Sequence, residues 1–458
     1  MTSAASQAQT ASGSAATTDE SLTWHGITLY GIIDAGIQYD THAAPINDYF
    51  FGGTADLVQK NSNGPIFGVT PNNLSQSRIG LQGKEPLGFM DWSGVFKLET
   101  FFNPQSGQIS DALKSVTQNN GRSLADQSTN VDSSIAGQAF EQAFVGLSSP
   151  TWGTITFGRQ NSVLADGVGK YDPQAVSNAF SVIGLSGTAA GGGDTQDRRL
   201  DSSIKYAGRF ADLVRVGLQY KFQNSSAQSY ATAGSGEAFS AYELSLGADY
   251  AGLSVDGYYA KVRDAVSVSP LSAAQVAGLA TGFSLANSLA GTISDNATYG
   301  IMGLYAIDPS VAPVTFSGGY EHITFMNPSI ALNPGFDDVN GYVLAVVNNT
   351  AYAKADKILQ VYWAGAKYAV SDNFNAIIAY YGYKQNAYAT GKNLGCSDLA
   401  SSACSGNLHA VSIAADYHFT KRFDAYAGAM WSNVSHGLAF GYLNTTNVNP
   451  TIGARFSF

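Results

Sequence analysis

The residues of this chain that could do chemistry do not assemble into a reactive set. Its six histidines, His25, His42, His322, His409, His418 and His436, are scattered, and neither G-x-S-x-G nor H-E-x-x-H occurs. An enzyme would need a nucleophile with a base and an orienting group. The nearest approach is the G-x-S-G within "SNAFSVIGLSGTAAGGG", and it lies in a long loop. The glycine-rich "GTAAGGGDTQ" that overlaps it has no Lys and no strand–loop–helix context, so it does not read as a phosphate cradle. No catalytic residue, cofactor or metal is expected. Cys396 and Cys404, eight positions apart in "CSDLASSAC", sit among Gly, Ser and Asp with no His to complete a zinc site. They read as a loop disulfide, which implies an oxidising compartment; two free thiols are the other reading.

What remains is a set of charges spaced to share one face of extended strands. Arg78 precedes Ile79 and Leu81 and takes the opposite parity, Lys97 shares its parity with Glu99, Lys205 lies between Ile204 and Tyr206, and Arg215 lies between Val214 and Val216. Such groups break no bonds, but they can line a polar wall.

The elements that position them are alternating segments about ten residues long. In "GITLYGIIDAGIQY" Ile27, Leu29, Ile33, Ala35, Ile37 and Tyr39 share a face against Thr28, Tyr30, Asp34 and Gln38. "LVRVGLQYKF", "AYELSLGADY" and "LHAVSIAADYHF" repeat the pattern, and their apolar faces end in Tyr or Phe. Composition agrees: only 13% of residues are charged, Gly (50), Tyr (25) and Phe (24) are abundant, and mean hydropathy is −0.04. An apolar uncharged exterior around a polar interior satisfies both facts, whereas a soluble domain carries roughly 25% charge. The net charge of −10, with no long Lys or Arg run, excludes a nucleic-acid partner.

Strands are expected near 23–39, 76–86, 90–103, 139–148, 153–161, 201–209, 212–223, 240–250, 253–263, 297–307, 313–325, 357–369, 373–386, 407–419, 422–432 and 448–458. That makes an even number, sixteen, joined alternately by short turns such as "SSPTWG", "YAGL" and "FTKRF" and by much longer loops. The pattern defines an all-β transmembrane barrel, antiparallel and closed, because an open strand edge cannot face lipid. The barrel is expected over 23–458, with its last strand, ending at Phe456 and Phe458, closing on the first. Residues 1–22 have no basic start and no apolar run, so they read as a disordered leader or remnant on a mature chain whose signal is gone. The uncharged stretch 265–294 is interrupted by Ser, Thr, Gly and Asn. With Val276, Leu279 and Phe283 at helical spacing, it reads as a partly helical loop and not a membrane helix.

"TLYGIIDAGI" (28–37), "SRIGLQGKEPLG" (77–88), "KLETFFNP" (97–104), "QAFVGLSSPTWGTITFGRQ" (142–160) and "DRRLDSSIKY" (197–206), with the terminal Phe458, resemble the Gram-negative general porins of β-proteobacterial type. The resemblance is weak across the loops 264–296 and 326–356. It departs at "GKEPLGFM", where such porins usually have "GTEDLGGG", and at "RFSF", where a His more often precedes the final Phe. It implies a homotrimer in the bacterial outer membrane whose third loop, about 161–200, folds inward as a constriction. It also implies a C-terminal Phe read by the outer-membrane assembly machinery, and wall arginines at Arg78 and Arg159. On that reading Arg78, Lys97, Arg159, Lys205 and Arg215 face Asp166 and Asp172 of the loop across an eyelet, and opposed charges set up a transverse field. The chain would then pass small hydrophilic solutes and ions by passive diffusion with weak charge selectivity. A substrate-specific channel gated by the long loops is the alternative.

Overall fold

The structure, a computed structural model, describes residues 22–43, 63–105, 107, 109, 140–185, 199–222, 240–263, 266–268, 272–279, 281–285, 291–293, 295–326, 338–339, 342–343, 357–387, 405–439 and 443–458. One antiparallel sheet closes on itself through sixteen staves. They are β1 (Ile27–Ala43), β2 in two segments (Gly64–Pro71 and Arg78–Pro86), β3 (Ser93–Phe101), β4 (Gln142–Ser149), β5 (Gly153–Asn161), β6 (Arg199–Phe210), β7 (Val214–Lys221) and β8 (Ser240–Tyr250). The second half comprises β9 (Leu253–Arg263), β10 (Asp295–Ala306), β11 (Val314–Met326), β12 (Lys357–Ser371), β13 (Phe374–Gln385), β14 (Gly406–His418), β15 (Phe423–His436) and β16, again in two segments (Thr446–Val448 and Thr451–Ser457).

Closure joins β16 to β1 in register from Ile32↔Ser457 to Gln38↔Thr451. Gly31 N donates to Phe458 O (2.9 Å) and Phe458 N donates to Gly31 O (3.0 Å), so the last residue completes the ladder. Its ring lies across Gly31, where a Cβ would stand 2.3 Å from Phe458 Cζ. Closure leaves no unpaired edge for lipid, which could not hydrogen-bond one.

Alternation decides which face is which. Leu29, Ile33, Ile37, Leu218, Leu244, Leu246, Ile301, Ile413, Ile452 and Phe456 are exposed on the outer surface, while Asp34, Gln38, Gln219, Glu243 and Ser412 are buried inside. The short turns lie at the rim where the chain ends. At Ala251–Gly252, φ values of +48° and +81° give the hairpin geometry that suits twisted strands.

Two features depart from the sequence expectation. The segment Gly64–Pro71, rich in Gly and Pro, is the upper half of β2: it pairs with β1 from Ala35↔Pro71 to Ala43↔Gly64. The interior is also not uniformly polar. In the half of the barrel nearer the long loops, Ile323, Phe325, Leu359, Val361, Trp363, Tyr381 and Met430 are buried and form an apolar core with the third loop. Between 265 and 294 the described residues form a short hairpin (Val266–Val268 with Gly291–Ile293) and a six-residue helix, Ala273–Gly278.

The third loop runs inward through helix α1 (Val163–Tyr171) and the short α2 (Val182–Leu185). Ser162 caps α1 by accepting from Ala165 N (3.0 Å), Asp166 sits in its first turn and Lys170 in its last, each sign matched to the helix dipole. Leu164, Val168 and Tyr171, at i, i+4 and i+7, turn to the wall of β7–β11. Asp166 is left on the opposite, wet side. No described helix is long and apolar enough to cross a membrane, and the strands make the crossing.

Candidate pore constriction

The wall facing α1 is built by β1–β6. Arg78, with Ile79 and Leu81 turned outward, projects inward from the row that pairs Ile32, Arg78 and Phe101. On β3, Lys97 Nζ lies 3.3 Å from Glu99 Oε2 and 5.5 Å from the centre of the Tyr30 ring. Glu99 is held from behind: Tyr30 OH donates to Oε2 (2.8 Å) and Gln142 Nε2 to Oε1 (2.9 Å). Higher up, Glu141 joins two guanidiniums, Arg159 Nη2 at 3.6 Å and Arg199 Nε at 3.5 Å, and Arg199 stacks 4.6 Å over the Phe101 ring. On β6, Lys205 pairs with Asp166 of α1 and donates to Asn161 O (3.0 Å), while Asn161 Nδ2 donates to Asp166 Oδ1 (3.0 Å).

Two of the acids are the most deeply buried of these charges, and the paired bases are themselves only 9–16% accessible. Glu99 and Glu141 are only 2% and 3% accessible and lie behind the bases they bind, whereas Asp166 is 43% accessible. Five bases (Arg78, Lys97, Arg159, Arg199, Lys205) therefore meet three acids, of which one reaches water.

The expected residues divide accordingly. Arg78, Lys97, Arg159, Lys205 and Asp166 are brought together. Asp172 is not: it is buried at the end of α1 and accepts from Ser181 Oγ (2.6 Å), Tyr381 OH (2.6 Å), Val176 N (2.8 Å) and Gln174 N (3.2 Å). Burial pushes its carboxyl above the ordinary range, against the pull of those four donors. Asp172 thus folds the loop and does not face the arginines. Arg215 also stands apart, pairing with Asp249 and with Asp256 (2.9 Å) and donating to Tyr171 OH (3.1 Å). Lys170 joins this network by donating to Ser254 Oγ (2.8 Å); burial and then Arg215 hold its ammonium below the usual lysine range. The network ties the end of α1 to β7–β9.

Glu141 and Arg199 were missed because both precede or open a strand, where parity gives no direction. Arg455, on the polar parity of β16, also turns inward, to Asp424 Oδ2 (2.5 Å), Asp416 (3.7 Å) and Ser75 Oγ (2.7 Å). Cys396 and Cys404, most of "GGGDTQDRR" and the leader 1–21 lie outside the described residues.

A closed barrel with an apolar outer band and a lumen narrowed by an inward loop with charged walls defines a pore-forming outer-membrane protein. A family model for the Gram-negative porins matches residues 1–347, and the chain belongs to that family, in the bacterial outer membrane. An outer membrane porin protein of Bordetella pertussis is 32% identical over 200 residues; the match spans 43% of this chain and 42% of that protein. Among solved structures, the anion-selective porin from Comamonas acidovorans superposes with a TM-score of 0.59 at 17% identity, covering 94% of this chain and 99% of its own. OmpT of Vibrio cholerae gives 0.54 at 15% identity, covering 96% and 100%. The channel DcaP of Acinetobacter baumannii gives 0.52 at 13%, covering 94% and 97%.

Proposed function

We propose that this porin is a water-filled channel for passive diffusion of small hydrophilic solutes and ions, with a preference for anions. The observation that carries the preference is the five-to-three excess of bases over acids at the constriction, with two of the three acids buried behind their partners. With Asp172 turned into the loop and Asp166, the most exposed of the paired charges, tied to Lys205, the bases still outnumber the acids and the net charge of the eyelet is positive. A channel selects by diameter and wall charge, so a wall with a net excess of bases favours carboxylates and phosphates over cations. The likeness to the anion-selective porin of Comamonas acidovorans supports the same reading. Homotrimeric assembly, and recognition of the strand ending at Phe458 by the assembly machinery, belong to this proposal through the family resemblance.

Liposome swelling tests it. Proteoliposomes should swell at rates that fall smoothly with the size of uncharged sugars, and faster with a small carboxylate than with a zwitterion of equal size. Saturable entry of one solute would instead mark a dedicated channel.

A further inference from the structure

The two interrupted staves stand on either side of β1. β2 breaks at 72–77, between Ala35↔Pro71 and Ile32↔Arg78, and β16 breaks at Asn449–Pro450, just above Gln38↔Thr451. A break in a barrel wall forfeits ladder bonds, so the freed groups must go elsewhere. Here several go to the third loop or to the residues that hold its tip.

Ala179, at the tip of that loop and fully buried, gives both its main-chain groups to the two breaks. Its N–H donates to Asn73 O (2.9 Å), and its C=O accepts from Asn449 Nδ2 (3.0 Å). The next residue, Phe180, packs edge-on against Tyr426 of β15, with ring centres 6.4 Å apart. Tyr426 OH in turn donates to Asp34 Oδ1, and the other oxygen of Asp34 accepts from Leu74 N (3.0 Å) and Ser75 N (2.7 Å) inside the β2 break. Space is reserved for this: a Cβ at Gly36 would stand 2.7 Å from Asn73 Nδ2 and 2.4 Å from Ile452 O. Asn449 Oδ1 accepts from Met430 N (2.8 Å), which fixes the amide so that its NH2 points at the loop.

We infer that the paired breaks form a clamp on the tip of the third loop, and that Asn449 and Asp34 are positioning residues that set the cross-section of the eyelet. The clamp deepens the reading of this loop as the constriction and rests on it. The loop is held at both ends: Arg215, Asp249 and Asp256 fix the end of α1, and the breaks fix the tip about ten residues further on.

Three variants test the clamp by single-channel recording in planar bilayers, each first checked as a folded, heat-modifiable barrel on gels. Asn449→Asp removes the donor to Ala179 while keeping the acceptor for Met430 N. Phe180→Leu loosens the tip from the loop side and changes no residue of a stave, so it reads the clamp even where the first variant fails to fold. Asp166→Trp, on α1, asks whether the loop is the constriction at all. Brief current transitions should become about fivefold more frequent in Asn449→Asp and Phe180→Leu, the shift expected for losing one buried hydrogen bond or equivalent contact. Asp166→Trp should lower the open conductance. Lowered conductance in Asp166→Trp with wild-type traces in both clamp variants overturns the clamp alone. Unchanged conductance in Asp166→Trp overturns the constriction reading and the clamp with it.

Discussion

Replacing Arg78 by Gln removes one positive charge from the narrow part of the lumen. Arg78 is the wall base to examine first because it shares no direct ion pair among the described residues, whereas Lys97, Arg159, Arg199 and Lys205 each have a carboxylate within 4 Å. A permeating ion about 7 Å away in water feels about 0.6 kcal/mol from a unit charge, close to one RT. Loss of the charge therefore lowers local anion occupancy about threefold and raises that of cations about threefold, so the anion-to-cation permeability ratio should fall roughly sevenfold at low ionic strength. The effect should shrink in molar salt, where the screening length is about 3 Å. The assay is reversal potential across a planar bilayer under a KCl gradient, wild type against Arg78→Gln, at two salt levels. An unchanged reversal potential at low salt would refute the placement of Arg78 on the conducting path.

The wall and the barrel yield further expectations. Glu141→Gln frees two guanidiniums from their shared carboxylate, so reversal potential should move toward stronger anion preference; a move toward cations would contradict the screening role given to Glu141. Glu321, 0% accessible beneath α1, has neither oxygen hydrogen-bonded among the described residues. Glu321→Met should raise barrel stability by about 1–3 kcal/mol, read as the midpoint of heat or urea unfolding, and a lower midpoint would reveal a partner for the carboxyl. Gly31→Leu drives a side chain into the Phe458 ring at the seam. It should cut the fraction of folded, heat-modifiable barrel in the outer membrane severalfold, more than Gly68→Leu, where a Cβ meets nothing.

The staves were legible because a barrel wall repeats one local rule: outward residues such as Leu244, Leu246 and Ile413 must be apolar, and their neighbours need not be. Fifteen of the sixteen lie within about four residues of expectation at both ends, and β2 does so only for its segment Arg78–Pro86. The rule failed where it stops applying. Gly64–Pro71 stands high on β2, where Phe67 and Val69 alternate with Gly and Thr, so little distinguishes it from the loop before it. Toward the long-loop ends of β11–β13 the inward face is apolar, because the partner of Ile323, Leu359 and Tyr381 is the third loop and not water. The constriction was half legible for a related reason. Parity turned Arg78, Lys97 and Lys205 inward, but the destination of Asp172 depends on Tyr381, some two hundred residues away in sequence. Arg215 and Arg455 show the same limit: parity gives the face, and only the fold gives the carboxylates they meet.

The most direct measurement is single-channel conductance of the purified wild-type protein, recorded across a range of symmetric KCl concentrations and then under a KCl gradient. The account predicts conductance rising in proportion to salt, closures in steps of three, and a reversal potential whose sign shows chloride crossing faster than potassium. Conductance that saturates at low salt, or a reversal potential of the opposite sign, would contradict a water-filled pore lined by an excess of bases.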